Sequence, residues 1–316
     1  MTLAKATDAA DVRIRYLKPS GAPVERLYTV APRSRLTIQV DEIPGLEATD
    51  VSGAIESLNN VPVIAERAMY SLDPANPGLG FVAGHESAGV TAPATSWFLA
   101  EGATGPFFDL FVLLANPNPQ PAEVRLTYLL ESGVNIVKTH TVPGNSRRTI
   151  YVGSEDPRLA SASVATRADS INGVPIVVER AMWWPSGQVW QEAHNSAGST
   201  TTGVKWGLAE GESGAPPVNT RTYVLIANTS STTATVRVTL LFQGTRTPIE
   251  KTFTVLPNSR KTIDVLAEYP TSGGFDFGAV IESLTGEQIV VERAMYSDAL
   301  GVTWAAGTNA LGTRLR

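Results

Sequence analysis

Residues 174–184 read VPIVVERAMWW. A proline near the start and a run of β-branched aliphatics describe a strand, with Pro175 placed where a missing N–H costs least. Yet Glu179 and Arg180 stand side by side within it. Alone, the pair would suit a general base oriented by an arginine. It is not alone. PVIAERAMYS at 62–71 and QIVVERAMYS at 288–297 are the same segment, and Glu66, Glu179 and Glu292 follow one another at intervals of 113 residues.

Other segments recur in the same order, the signature of a repeat architecture. DVRIRYL (11–17) matches EVRLTYL (123–129) and TVRVTLL (235–241); SRLTIQV (34–40) matches SRRTIYV (146–152) and SRKTIDV (259–265). TSWFLAEGATG (95–105) returns as VKWGLAEGESG (204–214), and FVLLANPN (111–118) as YVLIANTS (223–230). The expected domains are 1–93, 94–203 and 204–316, joined through GVTAPAT (89–95) and GSTTTG (198–203). The first copy lacks the WFLAEG and FVLL segments, so its N-terminal strands are expected to be missing.

Each copy reads as short strands between turns. In VRLTYLL, Val124, Leu126 and Tyr128 alternate with Arg125 and Thr127, the period of a half-buried strand. PGN, NPNPQP and ESG supply the turn residues. One full copy predicts seven strands, near 96–101, 109–115, 122–130, 136–142, 147–152, 161–168 and 174–184. Seven short strands in roughly 110 residues is the proportion of an immunoglobulin-like sandwich. The expectation is an all-β chain of three tandem immunoglobulin-like β-sandwiches.

The combination WFLAEG, LLANPN, VRLTYL, SRRTI and VVERAMWW resembles tandem β-sandwich repeats of large exported bacterial proteins, grouped as domains of unknown function. That resemblance implies an extracellular or cell-surface location and brings no activity with it.

Composition narrows the function. Of 316 residues, 43% are hydrophobic and 17% charged, with a net charge of -5 and no long Lys/Arg block. A nucleic-acid footprint is not expected. No apolar run reaches the ~18 residues that would span a bilayer, and the stretch MTLAKATDAADVRIRY carries no signal-peptide pattern. There is no cysteine, which removes disulfides, thiolate nucleophiles and Cys-based metal sites.

Adjacent side chains on a strand leave opposite faces, so Glu179 and Arg180 do not pair with each other. Because the pair recurs in every copy, Glu66, Arg67, Glu179, Arg180, Glu292 and Arg293 are read as a structural charge network. A half-buried charge needs a partner, and recurrent ones are available: Arg13, Arg125 and Arg237, then Arg35, Arg147 and Arg260, with Glu101 and Glu210. His85 and His194, in AGHESAG and EAHNSAG, read as loop histidines, and His140 as an exposed strand residue. No catalytic, cofactor or metal residue is assigned. The acidic residues of VDEIPGLEATD (40–50) and SEDPRLAS (154–161) leave weak Ca²⁺ binding open. Trp183, Trp184 and Trp190 suit either a domain seam or a ligand face. Asn228-Thr229-Ser230 is a formal glycosylation sequon.

The expectation is therefore a non-enzymatic structural or interaction protein: a stalk, scaffold or filament subunit whose copies join by self-association or to neighbouring domains, with strand complementation as one way of joining. The alternative is a glycan-binding adhesin.

Overall fold

The structure is a computed structural model that describes residues 2–4 (backbone only), 8–72, 78, 80–186, 190–214, 219–299 and 301–316. It is almost entirely antiparallel β, as the alternating segments predict. The first copy supplies β1 (Thr2–Ala4), β2 (Ala10–Leu17), β3 (Val24–Val30), β4 (Arg35–Thr37), β5 (Ser52–Ser57), β6 (Ile64–Leu72) and β7 (Phe81–Ala88). The second has β8 (Ser96–Leu99), β9 (Asp109–Asn116), β10 (Ala122–Leu130), β11 (Asn135–Val142), β12 (Ser146–Tyr151), β13 (Val164–Ser170), β14 (Val177–Trp184) and β15 (Glu192–Ala197). The third has β16 (Lys205–Leu208), β17 (Glu212–Ser213), β18 (Arg221–Asn228), β19 (Ala234–Phe242), β20 (Ile249–Val255), β21 (Ser259–Asp264), β22 (Phe275–Ser283), β23 (Ile289–Ala299), β24 (Val302–Leu311) and β25 (Thr313–Arg314).

The second copy folds as two facing sheets, ordered β12-β9-β14-β15 and β11-β10-β13-β8. The third repeats this as β21-β18-β23-β24 and β20-β19-β22-β16-β25. The first has β4-β1-β6-β7 opposite β3-β2-β5 and, among the described residues, no counterpart of β8. Its β1 pairs only with Ile64 to Glu66 of β6, whereas β9 pairs with β14 from Val177 to Trp183. Among the described residues the first sandwich is thus short by one strand and most of another.

Inward positions follow the period-two pattern. Val124, Leu126 and Tyr128 are fully buried against Val112, Leu114, Val178 and Met182 of the facing sheet, while Arg125 points out. The turn before each SR segment needs a left-handed residue. Asn145 and Asn258 supply it with φ of 52° and 43°, and Arg33 holds it in the first copy at 52°. Asparagine tolerates that region better than most residues.

One expectation fails. Each copy has a further strand after the ERAM segment, β7, β15 or β24, where AGHESAG and EAHNSAG read as loops. These strands pair with β6, β14 and β23 and place His85, His194 and Thr308 opposite Met69, Met182 and Met295. They carry glycine and alanine where strands usually carry bulk. The reason is crowding. A Cβ at Gly307 would lie 2.7 Å from the Trp184 ring, and one at Gly84 would lie 2.9 Å from Tyr70. Small residues were the signal, and they resemble loop composition.

Candidate functional site

The functional residues converge where successive copies meet. The sheets β4-β1-β6-β7, β12-β9-β14-β15 and β21-β18-β23-β24 are stacked, with β15 in contact with β7 on one side and β24 on the other. Strand alternation sends Glu179 back toward the first copy and Arg180 forward toward the third. Glu179 pairs with Arg67 at 3.0 Å, and Arg180 with Glu292 at 3.0 Å. The network is therefore built between sandwiches and not only within each one.

The joint between the second and third copies is fully desolvated. Arg180 is 1% exposed and Glu292 0%. Arg180 also binds Glu101 Oε2 at 2.6 Å, and the other Glu292 oxygen accepts the Ala100 N–H at 2.7 Å. Asn309, with its amide oriented to satisfy both ends, accepts from Arg180 at 3.0 Å and donates to the Asn195 carbonyl. Tyr296 donates its hydroxyl proton to Glu101 at 3.2 Å and lies 3.1 Å from His194 Nε2. Arg260 donates to the Gly102 carbonyl at 2.8 Å. Two arginines and two glutamates thus balance inside the joint. Burial pushes the Glu101 and Glu292 carboxyls up, opposed by Arg180, and pushes His194 far down with Arg180 adding to the effect. His194 is a neutral member of the network.

The first joint is a partial copy. Arg67, Glu179 and Asn195 repeat the geometry, with Asn195 accepting from Arg67 at 2.6 Å and donating to the Glu86 carbonyl. Arg147 turns to Asp50 at 2.5 Å and Ser52. Among the described residues Glu101 has no counterpart here, and Trp183 stands where Tyr296 stands in the next joint. His85 packs edge-on to Trp183, and its Nε2 is buried with no hydrogen-bond partner among the described residues. Burial, then the Arg67 charge, lowers its pKa from 6.5 to about 4.

The tryptophans are divided between the joints. Trp183 is buried against His85, Ala83 and Trp190. Trp184, 1% exposed, contacts Tyr296 and Phe108 and donates to the Trp304 carbonyl at 2.8 Å. Neither ring offers a face to a ligand in solution. Trp190 is half-buried and donates to Asp109 at 2.8 Å.

Several other readings are corrected. His85 and His194 are buried strand residues, because the joint packs over them. His140 is not exposed: its side chain is 9% accessible and bonds Glu155 at 2.8 Å. Arg13, Arg125 and Arg237 form a separate rung, pairing with Glu56, Asp169 and Glu282 on the outer face of the other sheet. Glu66 is exposed and has no ion pair among the described residues. Arg293 is paired with Glu210.

Of the acidic loop residues, Asp50 is engaged by Arg147 and Thr149, and Asp156 by Arg158 and Lys138. Among the described residues, no three His, Asp or Glu side chains come together as a metal site. Asn228, the sequon residue, is 0% exposed, and its amide donates to the carbonyls of Thr232, Val255 and Leu256. Asn116 does the same in the second copy. The recurring AN of LLANPN and LIANTS is a buried turn plug. Trp97 and Trp206 are equally structural, each donating its indole N–H to a carbonyl of the neighbouring strand segment, Ile176 and Ile289. Among the described residues no helix is long and apolar enough to cross a membrane.

No protein-family model matches the chain. No curated protein matches it either. Among solved structures, Thermotoga maritima 1070 aligns over 97% of its length with 37% of this chain, at 16% identity and a TM-score of 0.31. Anabaena sensory rhodopsin transducer aligns over 91% of its length with 29% of this chain, at 21% identity and 0.25. Red sea bream transglutaminase aligns over 31% of its length with 69% of this chain, at 11% identity and 0.16. Scores this low carry no argument about function.

Proposed function

We propose that the chain is a non-enzymatic scaffold of the bacterial cell surface or extracellular space, a rod or filament subunit built from stacked sandwiches. The observation that carries this reading is the same rung at both joints, an arginine of one copy on the glutamate of the next. Flexible tethering between independent domains does not call for a buried ion pair. Fixing the angle between neighbours does, because a buried charge tolerates only the arrangement that pairs it. Stacked units that stabilise their neighbours build length in this way. The Glu–Arg pair that suggested catalysis is consumed by this role, since both partners are held by opposite charges on adjacent copies.

Small-angle scattering of dilute protein tests the reading. The expected profile is that of one stiff particle with fixed spacing between sandwiches. Arg180→Ala should loosen the second joint and broaden the distribution. A wild-type profile of three independently moving beads would sink it.

A further inference from the structure

The two joints are heterologous: each uses the Arg side of one copy and the Glu side of the next, so nothing in their geometry closes them. Both unused halves are present at the ends of the stack. On the first copy, Tyr70 occupies the position of Trp183 and Tyr296 yet is 63% exposed, and it packs against Phe81, itself 67% exposed. Beside it stand the exposed Glu66, equivalent to Glu179 and Glu292, and Glu86, which takes the place of Asn195 and Asn309. Arg35 is also exposed, and its guanidinium already bonds Thr37 as Arg260 bonds Thr262.

On the third copy the opposite half is set. Arg293 is held by Glu210 as Arg180 is held by Glu101. Glu210 is 70% exposed where Glu101 is 4% exposed. Ala209 and Thr308 are exposed where Ala100 and His194 are buried. The charges complement each other: Arg293 would meet Glu66 and Glu86, and Glu210 would meet Arg35, as Glu101 faces Arg260 inside the chain.

We infer that this chain associates with a second copy of itself head to tail, the outer face of β6 and β7 stacking on the face of β23 and β24 that carries Arg293 and Thr308. The partner continues the internal joint. This rests on the scaffold reading and names its partner.

Sedimentation velocity over a range of concentrations, with two single variants at exposed positions, tests it. Glu66→Arg sets a cation against Arg293, and Thr308→Glu sets a carboxylate against Glu86. Each alone should weaken self-association by about tenfold or more, with melting temperature unchanged. Mixed in equal amounts, they keep one good half each and should form a dimer that goes no further. Wild-type chains that stay monomeric at high concentration overturn the inference. So do variants that associate as strongly as wild type, or a mixture that forms no dimer. A monomer that still scatters as one stiff rod defeats this inference alone, whereas a flexible monomer defeats the scaffold reading as well.

Discussion

Arg180 is the residue on which the second joint depends. Removing it would leave Glu101 and Glu292 buried without their cation, and breaking a buried pair typically costs about 3–5 kcal/mol. Arg180→Ala should therefore lower stability by that order in urea unfolding. Replacing Arg180, Arg260, Glu101 and Glu292 together by apolar residues of similar volume should cost far less, because no charge of the joint is left unpaired. His85 gives a pH signature. Its folded pKa of about 4 lies below the 6.5 of an ordinary histidine. The unfolded chain takes up a proton near pH 6.5 while the folded chain resists it. The stabilising contribution is present above pH 6.5 and is lost as pH falls toward 4, at most about 3 kcal/mol. Unfolding experiments at pH 7 and pH 4 should show that His85→Gln removes this part of the acid sensitivity. Glu101 and Glu292 act with the opposite sign, so the difference between variant and wild type is the quantity to measure. The recurrence of Glu and Arg on opposite faces of one strand is legible in the sequence. Their partners are not, because a strand shows which faces two residues leave by but not what lies opposite.

At the scale of elements, β7, β15 and β24 are strands made possible by small residues at the stacking face. Gly307→Val should clash with Trp184 and Tyr296, an overpacking expected to cost about 1–3 kcal/mol, readable as a lower melting temperature. The plugs Asn116 and Asn228 make a second test. Asn228→Ala abandons three carbonyls near a buried turn, and about 1–3 kcal/mol should be lost. A host that glycosylates sequons should leave Asn228 unmodified in the folded chain. The alternating strands were read closely: β10 spans Ala122–Leu130 against an expected 122–130. The histidine-bearing strands were not, since propensity registers β-branched and aromatic content, and crowding between sheets selects against both.

For the molecule as a whole, the core of the second and third sandwiches is one continuous cluster through Trp184 and Tyr296, while the first has its own. Arg180 and Trp184 are therefore expected to couple the unfolding of the second and third sandwiches. Calorimetry should show these two melting as one unit, and Trp184→Ala should split the transition. Within β6, Met69, Tyr70 and Leu72 are exposed, while the matching residues of β14 and β23 are mostly buried. The difference follows from what stands over the strand, not from the strand itself.

By itself the sequence determined the β character of the chain and its alternating core. Both are written in periodicity, and periodicity needs only local sterics and the removal of apolar side chains from water. Only the tertiary structure decided that Glu179 reaches back while Arg180 reaches forward, that His85 and His194 are buried, and that Trp183 and Trp184 serve two different joints. Those facts depend on how one sheet lies on the next, a relation between residues more than 100 positions apart that no local pattern encodes.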